Sequence, residues 1–172
     1  MNWLRRGYIV APFLAGLWMV IIAVTCAIIM TFCTGDSYKP ELIISFSIGV
    51  FSGTIVIYLK NKFRSWLLVN LLVLILAING FSPIKLITDT ENIVLLLLVD
   101  TTVTLIFLFA FAKTILNIPF GCVSRYEFES CLIRFLVGFG YIFFTAIIII
   151  PFYVMIMTSF KNQSKLLMNP LD

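Results

Sequence analysis

One acidic residue lies well inside an apolar block of this sequence, which makes it the strongest candidate for chemistry. Asp100 begins the run Asp100-Thr101-Thr102-Val103-Thr104, within a block that extends from Ile93 to Ala112. On a helix, Thr104 lies one turn further along the same face. A carboxylate in hydrocarbon is costly, so Asp100 should be protonated or paired and should face the interior of a helix bundle.

Two roles remain open for this carboxyl group. It could bind a proton or an ion as part of a transport path, with Thr104 beside it, or it could join helices through a polar contact. The apolar blocks contain no Lys, no Arg and no second acid that would form a relay with Asp100. This isolation favours the contact between helices over the transport role.

The rest of the sequence argues against an enzyme. There is no histidine, and the metalloprotease, P-loop and serine-hydrolase motifs are absent, as is any acidic cluster suited to metal or glycosyl chemistry. The four cysteines form no C-x-x-C pair, and we interpret them as ordinary small apolar residues. We therefore expect no catalytic residue, no metal and no cofactor.

Composition places the chain in a membrane. Of its 172 residues, 62% are hydrophobic and 12% are charged, whereas soluble domains are about half apolar and a quarter charged. The net charge of +4 comes from basic residues that lie between the apolar blocks, so it does not indicate binding to nucleic acid. The partner that the composition indicates is a lipid bilayer.

Five continuous apolar blocks predict five helices. They are Gly7–Cys33, Leu42–Leu59, Trp66–Phe81, Ile93–Ala112 and Phe135–Met157. Each is near the ~20 residues that cross a bilayer, although the third is short, and none alternates as a strand of a barrel would. The first is too long for a secretory signal peptide. We predict an all-α polytopic protein with about five transmembrane helices.

The loop charges predict the orientation of these helices. One side has eight basic residues, which are Arg5, Arg6, Lys60, Lys62, Arg64, Lys113, Arg125 and Arg134. The other side has four, which are Lys39, Lys85, Lys161 and Lys165. Because the basic side is usually cytoplasmic, we predict a cytoplasmic N-terminus and an external C-terminus.

Two local patterns indicate how the helices begin and pack. In the cytoplasmic connection 113–134, Ser124 and Glu127 have the spacing of a capping box, which predicts a helix start at Ser124. On the second helix, Ser45, Gly49 and Gly53 form a ladder of small residues that allows close approach of another helix. That partner could be a second copy of the chain, but packing within one bundle is favoured.

The segment 135–172 resembles a known family. Its features, in chain order, are an apolar run, Pro151-Phe152-Tyr153, Ser159-Phe160-Lys161 and Asn169-Pro170. This pattern is similar to the first core helix, and the start of the following external loop, in permease subunits of bacterial carbohydrate ABC importers of the maltose-permease-like family. The resemblance implies a multi-pass protein of the bacterial inner membrane. It also implies a second permease subunit, cytoplasmic ATPase subunits and an external sugar-binding protein as partners.

On this interpretation the chain has three parts. Residues 1–112 form a four-helix membrane module of unknown role, 113–134 form a cytoplasmic connection, and 135–172 begin a permease-like domain. The family's remaining helices, and its loop that docks on the ATPase, would follow Asp172, so the resemblance implies an N-terminal fragment. The alternatives are a complete small membrane scaffold, assembly factor or regulator, and an ion- or proton-coupled carrier that uses Asp100.

Overall fold

The computed structural model describes residues 6–35, 37–59, 62–86, 93–115 and 121–160. Within these ranges the chain forms five helices and one two-stranded antiparallel sheet. The helices are α1 (Gly7–Thr34), α2 (Leu42–Tyr58), α3 (Lys62–Ile78), α4 (Ile93–Thr114) and α5 (Arg125–Phe160), and the strands are β1 (Tyr38–Pro40) and β2 (Ile84–Leu86). The predicted all-α architecture is confirmed for these ranges, with a small sheet that the sequence did not predict.

Three of the five helices are long and apolar enough to cross a membrane. The apolar segments are Gly7–Phe32 in α1, Leu96–Thr114 in α4 and Arg125–Ile156 in α5. The helices α2 and α3 have 17 residues each. At ~1.5 Å per residue they extend about 26 Å, slightly less than a hydrocarbon core of ~30 Å. Length and composition therefore support spans for three helices and leave α2 and α3 at the short limit.

Glycines end two of the helices and correct one predicted boundary. Gly35 follows α1 with a φ of 78°, and its N–H donates to Thr31 O at 3.0 Å. Gly80 follows α3 with a φ of 80°, and Phe81 N then donates back to Leu76 O at 2.9 Å. A left-handed glycine satisfies the last carbonyls and stops a helix. The third helix consequently ends at Ile78, before Phe81, and it begins at Lys62, earlier than predicted.

The core lies where α1 meets its neighbours. Helix α1 contacts α2, α4, α5 and β1. The largest fully buried side chains come from α1 and α4, namely Trp18, Phe107, Phe111 and Met19. The indole N–H of Trp18 donates to Thr114 Oγ1 at 2.9 Å, and the ring of Phe135 on α5 packs edge-on against it at 5.0 Å between centroids. Trp18 thus joins three helices.

The two ends of the bundle are each held by contacts distant in sequence. At one end β1 pairs with β2, with Tyr38 opposite Leu86 and Pro40 opposite Ile84. At the other end Gly7 N donates to Gly121 O at 3.0 Å. The α1–α2 and α3–α4 connections therefore lie together at one end of the bundle. The start of α1 and the α4–α5 connection lie together at the other end. We use the name ribbon cap for β1, β2 and the Ser82-Pro83 turn that comes directly before β2.

Candidate functional site

Asp100 is completely buried beneath the ribbon cap. It lies on α4, one turn after Leu96, where the apolar segment of that helix begins. Its Oδ1 atom is 3.2 Å from the hydroxyl oxygen of Ser82, within hydrogen-bond distance. Its Oδ2 atom is buried and has no hydrogen-bond partner among the described residues. The carboxyl group consequently joins α4 to the turn before β2.

The Ser82-Pro83 turn collects several further polar contacts. The Ser82 hydroxyl contacts both the N–H, at 3.2 Å, and the carbonyl oxygen of Ile84. The Ser45 hydroxyl donates to Pro83 O at 3.2 Å, and Glu41 N donates to the same carbonyl at 3.0 Å. Because Ser45 and Ser82 are both buried, these bonds replace contacts with water. The turn is thereby attached to α2 and α4 together.

Thr104 does not complete a site with the Asp100 carboxyl group. Its hydroxyl donates to the backbone carbonyl oxygen of Asp100 at 2.6 Å, and the residue is fully buried. A threonine hydroxyl has one proton to donate, and here the backbone accepts it. The two residues lie in the same turn, as the spacing predicts, but Ser82 rather than Thr104 contacts the carboxyl oxygens.

The described part of the chain offers no metal centre. No group of three or more His, Cys, Asp or Glu side chains gathers there in a way that could hold an ion. Within the same ranges the only ion pair is the exposed Arg125–Glu129 bridge, at 2.8 Å, in the first turns of α5. A single hydrogen-bonded carboxyl group without a counter-ion can position a loop or hold a proton, and it cannot hold a divalent cation alone.

The ladder of small residues on α2 packs against α1 of the same chain. A Cβ atom on Gly49 would lie 2.7 Å from Ala15 O and 2.8 Å from Gly16 Cα. One on Gly53 would lie 2.6 Å from Ala15 Cβ. Such distances leave no room for a side chain, so the two backbones touch. Ser45, the first member of the ladder, bonds instead to the ribbon cap.

The first turns of α5 are well attached to the bundle. Ser124 N donates to Glu127 Oε2 at 2.8 Å, and Glu127 N donates to Ser124 Oγ at 3.2 Å, so both bonds of a capping box are present. Cys131 and Phe135 are buried, and a Cβ atom on Gly138 would lie 2.9 Å from the Trp18 ring. The helix that the sequence predicts from Ser124 therefore begins at Arg125 and is held through its first four turns.

The distal half of α5, residues 139–160, contains no buried residue among those whose burial the structure describes. Large apolar side chains are exposed along it, including Phe144 at 64% and Phe152 at 57%. Between this half, α1 and α4 lies an apolar groove of about 290 Å³, lined by Ile22, Ile29, Ile106, Ile142 and Ile149 among others. This groove is an apolar surface that a partner or lipid could cover.

The residues that carry the family resemblance lie on this same half of α5 or beyond it. Pro151 is inside the helix, which continues to Phe160, and Tyr153 is half-buried. The Ser159 hydroxyl donates to Ile156 O at 2.6 Å. Lys161, Asn169 and Pro170 lie outside the described residues. The structure thus places Pro151, Phe152, Tyr153, Ser159 and Phe160 on one continuous helix.

Comparison with known proteins adds no relative. No family model matches the chain, and neither a curated protein nor a solved structure matches it. The fold and the site therefore define only a class: a helical protein with three helices able to span a membrane, a buried carboxyl group beneath a small ribbon, and one long helix with an exposed apolar half.

Proposed function

We propose that the chain is a multi-pass protein of the bacterial inner membrane, with all five helices crossing and a cytoplasmic N-terminus. The ends of the bundle support this topology, because the two connections with fewer basic residues pair in the ribbon cap. The N-terminus and the α4–α5 connection, which have more basic residues, meet at the other end through Gly7 and Gly121. Helices of 17 residues lie at the lower limit for spans, which are about 17–25 residues long.

Labelling of thiols tests this orientation. Cys122 is exposed at the Gly7 end, and Ser37 is exposed beside β1 at the ribbon cap. In intact cells a membrane-impermeant maleimide should label Ser37→Cys, prepared in a Cys122→Ser background, and should reach Cys122 only after permeabilisation. Labelling of Cys122 from outside would reverse the proposed topology.

Within that topology we propose that the protein is a permease subunit of an ATP-driven carbohydrate importer. The observation that carries this proposal is the distal half of α5, where a long apolar helix leaves aromatic and aliphatic side chains exposed. Its Pro151-Phe152-Tyr153 step is the part that resembles the first core helix of such permeases. A core helix of a transport path must contact helices other than α1–α4, and this surface is free to do so.

In this role the chain catalyses no reaction of its own. ATP would be hydrolysed by separate cytoplasmic subunits, and an external binding protein would deliver the sugar. The chain would contribute α5 to the pathway that it forms with a second permease subunit. Trp18 of α1, which contacts Thr114 on α4 and Phe135 on α5, would hold the start of α5 in place.

Uptake measurements and crosslinking test the transport role. Cells without the gene should lose uptake of one class of labelled mono- or oligosaccharide, and the gene should restore it. A photoreactive residue at Phe144 should capture subunits of an ATP-driven importer, identified by mass spectrometry. The matched control is Leu71 on α3, which is 50% exposed and should capture only lipid. Unchanged uptake of every sugar, with the same adducts at both positions, would contradict the proposal.

A scaffold, assembly factor or regulator is the second candidate, and the same exposed half of α5 favours it. Such a protein would bind a membrane partner through α5 without forming a path. Phe144 would then capture one partner while uptake of all sugars remained normal. The third candidate, a proton-coupled carrier, rests on Asp100 Oδ2, which has no hydrogen-bond partner in the described part of the chain. Normal transport by an Asp100→Asn variant would exclude this role.

A further inference from the structure

Three polar atoms surround the hydroxyl oxygen of Ser82. They are the backbone N–H of Ile84, at 3.2 Å, the backbone carbonyl oxygen of Ile84, and Asp100 Oδ1, at 3.2 Å. Ser82 is 2% exposed and Asp100 is fully buried. The group is thus closed to bulk water, and its hydrogen bonds have to be satisfied from within.

The number of protons in this group decides the direction of each bond. A serine hydroxyl has one proton and two lone pairs. The Ile84 N–H can only donate, so it uses one lone pair of Ser82 Oγ. The Ile84 carbonyl can only accept, and so can an ionised Asp100 carboxylate, so the two would compete for the one hydroxyl proton of Ser82. We assign this proton to the Ile84 carbonyl, which lies in the same turn as Ser82. The second lone pair of Oγ then points towards Asp100 Oδ1.

If Asp100 were ionised, a lone pair of Oδ1 would face a lone pair of Ser82 Oγ at this contact. Two oxygen atoms at 3.2 Å, each with a lone pair and no proton between them, repel each other, and a carboxylate would add a buried charge. A protonated Asp100 resolves the conflict, because its O–H donates to Ser82 Oγ. We infer that Asp100 is a neutral carboxylic acid that donates a hydrogen bond from Oδ1 to Ser82, and so forms a proton-binding site that joins α4 to the ribbon cap.

The remaining contacts agree with a bound proton. The buried Oδ2, which has no partner among the described residues, becomes the carbonyl oxygen of an acid, whose desolvation costs far less than that of a charged oxygen. Helices α1 and α2 contain no Asp, Glu, Lys or Arg. The charged groups at this end of the described chain are Lys39 and Lys85, which lie opposite each other on the two strands, and Glu41 before α2. None of them makes a described ion pair with Asp100.

Infrared spectroscopy of the whole protein in lipid at neutral pH tests this inference. The wild-type protein should show a carbonyl stretching band of a protonated carboxylic acid, which shifts down in D₂O. Asp100→Asn should abolish that band. Ser82→Ala should shift it to higher frequency, because the acid loses its hydrogen-bond acceptor.

The control is Glu127→Gln, which removes an exposed carboxyl group at the far end of the bundle. This variant should leave the acid band unchanged and reduce only carboxylate absorption. If Asp100→Asn removes carboxylate absorption and no acid band is present in the wild type, Asp100 is ionised and the inference is overturned. Permease function does not enter this measurement, so the outcome is independent of the transport proposal.

Discussion

Helix α1 and the distal half of α5 are both strongly apolar, yet their surroundings are opposite. In an 18-residue apolar stretch of α1, 44% of the residues are buried within the protein, compared with 6% in such a stretch of α5. Helix α1 has small residues, such as Ala15 and Gly16, where α2 approaches, whereas α5 presents Phe143, Phe144 and Ile148. Small residues permit close contact between helices and large ones on a free face do not, so residue size rather than hydropathy separates the two regions.

The largest expected difference between these regions comes from removing one aromatic ring in each. Trp18→Ala deletes a fully buried side chain that contacts α4 and α5, and it leaves the Thr114 hydroxyl without its donor. A loss of about 4 kcal/mol in the free energy of unfolding is typical of such a change. Phe144→Ala, on the free face of α5, should change stability by less than about 0.5 kcal/mol.

Denaturant titration of the purified protein in mild detergent measures both variants. Similar losses of stability for Trp18→Ala and Phe144→Ala would mean that the distal half of α5 is packed in the protein's own fold. The contrast between the two regions would then fail.

Replacing a glycine by a larger residue gives a second comparison between a packed helix contact and the distal half of α5. Gly49→Leu would force side-chain atoms into the α1 backbone, because its Cβ already lies 2.7 Å from Ala15 O. Overpacking against backbone should cost about 3 kcal/mol. A Cβ atom on Gly140 would meet no described atom within 4 Å apart from its chain neighbours and the backbone of its own helix. Gly140→Leu should therefore be neutral or slightly stabilising, since leucine favours helix more than glycine does. Thermal unfolding followed by circular dichroism separates the two, and equal midpoints would contradict the close α1–α2 contact.

Loss of one hydrogen-bonding group that attaches the ribbon cap should lower the stability of the protein by an intermediate amount. Ser82→Ala leaves the Ile84 N–H and the Asp100 carboxyl group buried without their shared partner. The expected cost is about 2 kcal/mol, because buried polar groups then lack hydrogen bonds. Ser47→Ala is the control, since the exposed Ser47 hydroxyl bonds only to Ile43 O within its own helix. Hydrogen exchange at Ile84 should accelerate in the first variant only, and equal protection in both would exclude this attachment.

The sequence could predict the helices but not what joins them. Each apolar run extends over many residues, so the five helices follow from composition alone. The predicted end of the third helix at Phe81 was wrong, because the left-handed Gly80 stops α3 at Ile78. The ribbon cap was not predicted, because strands of three residues have no visible alternation and because the paired residues lie 44 to 48 positions apart, from Pro40 with Ile84 to Tyr38 with Leu86. Asp100 was recognisable as a buried acid from its apolar neighbours. Its partner Ser82 lies in a connection that no local pattern relates to α4.

The capping box before α5 is the local feature that both the sequence and the structure contain, and its effect should be the smallest. Ser124→Ala removes the hydroxyl that accepts from Glu127 N at 3.2 Å, at an exposed helix start. Loss of an N-cap costs about 1 kcal/mol. Because Cys131 and Phe135 hold the following turns, α5 should fray only at its first turn, with faster hydrogen exchange at Glu127 and Phe128. Ser124→Asp, which keeps an accepting oxygen at the cap, should restore protection. Faster exchange as far as Phe135 would instead show that the cap, and not the contact with Trp18, attaches α5 to the bundle.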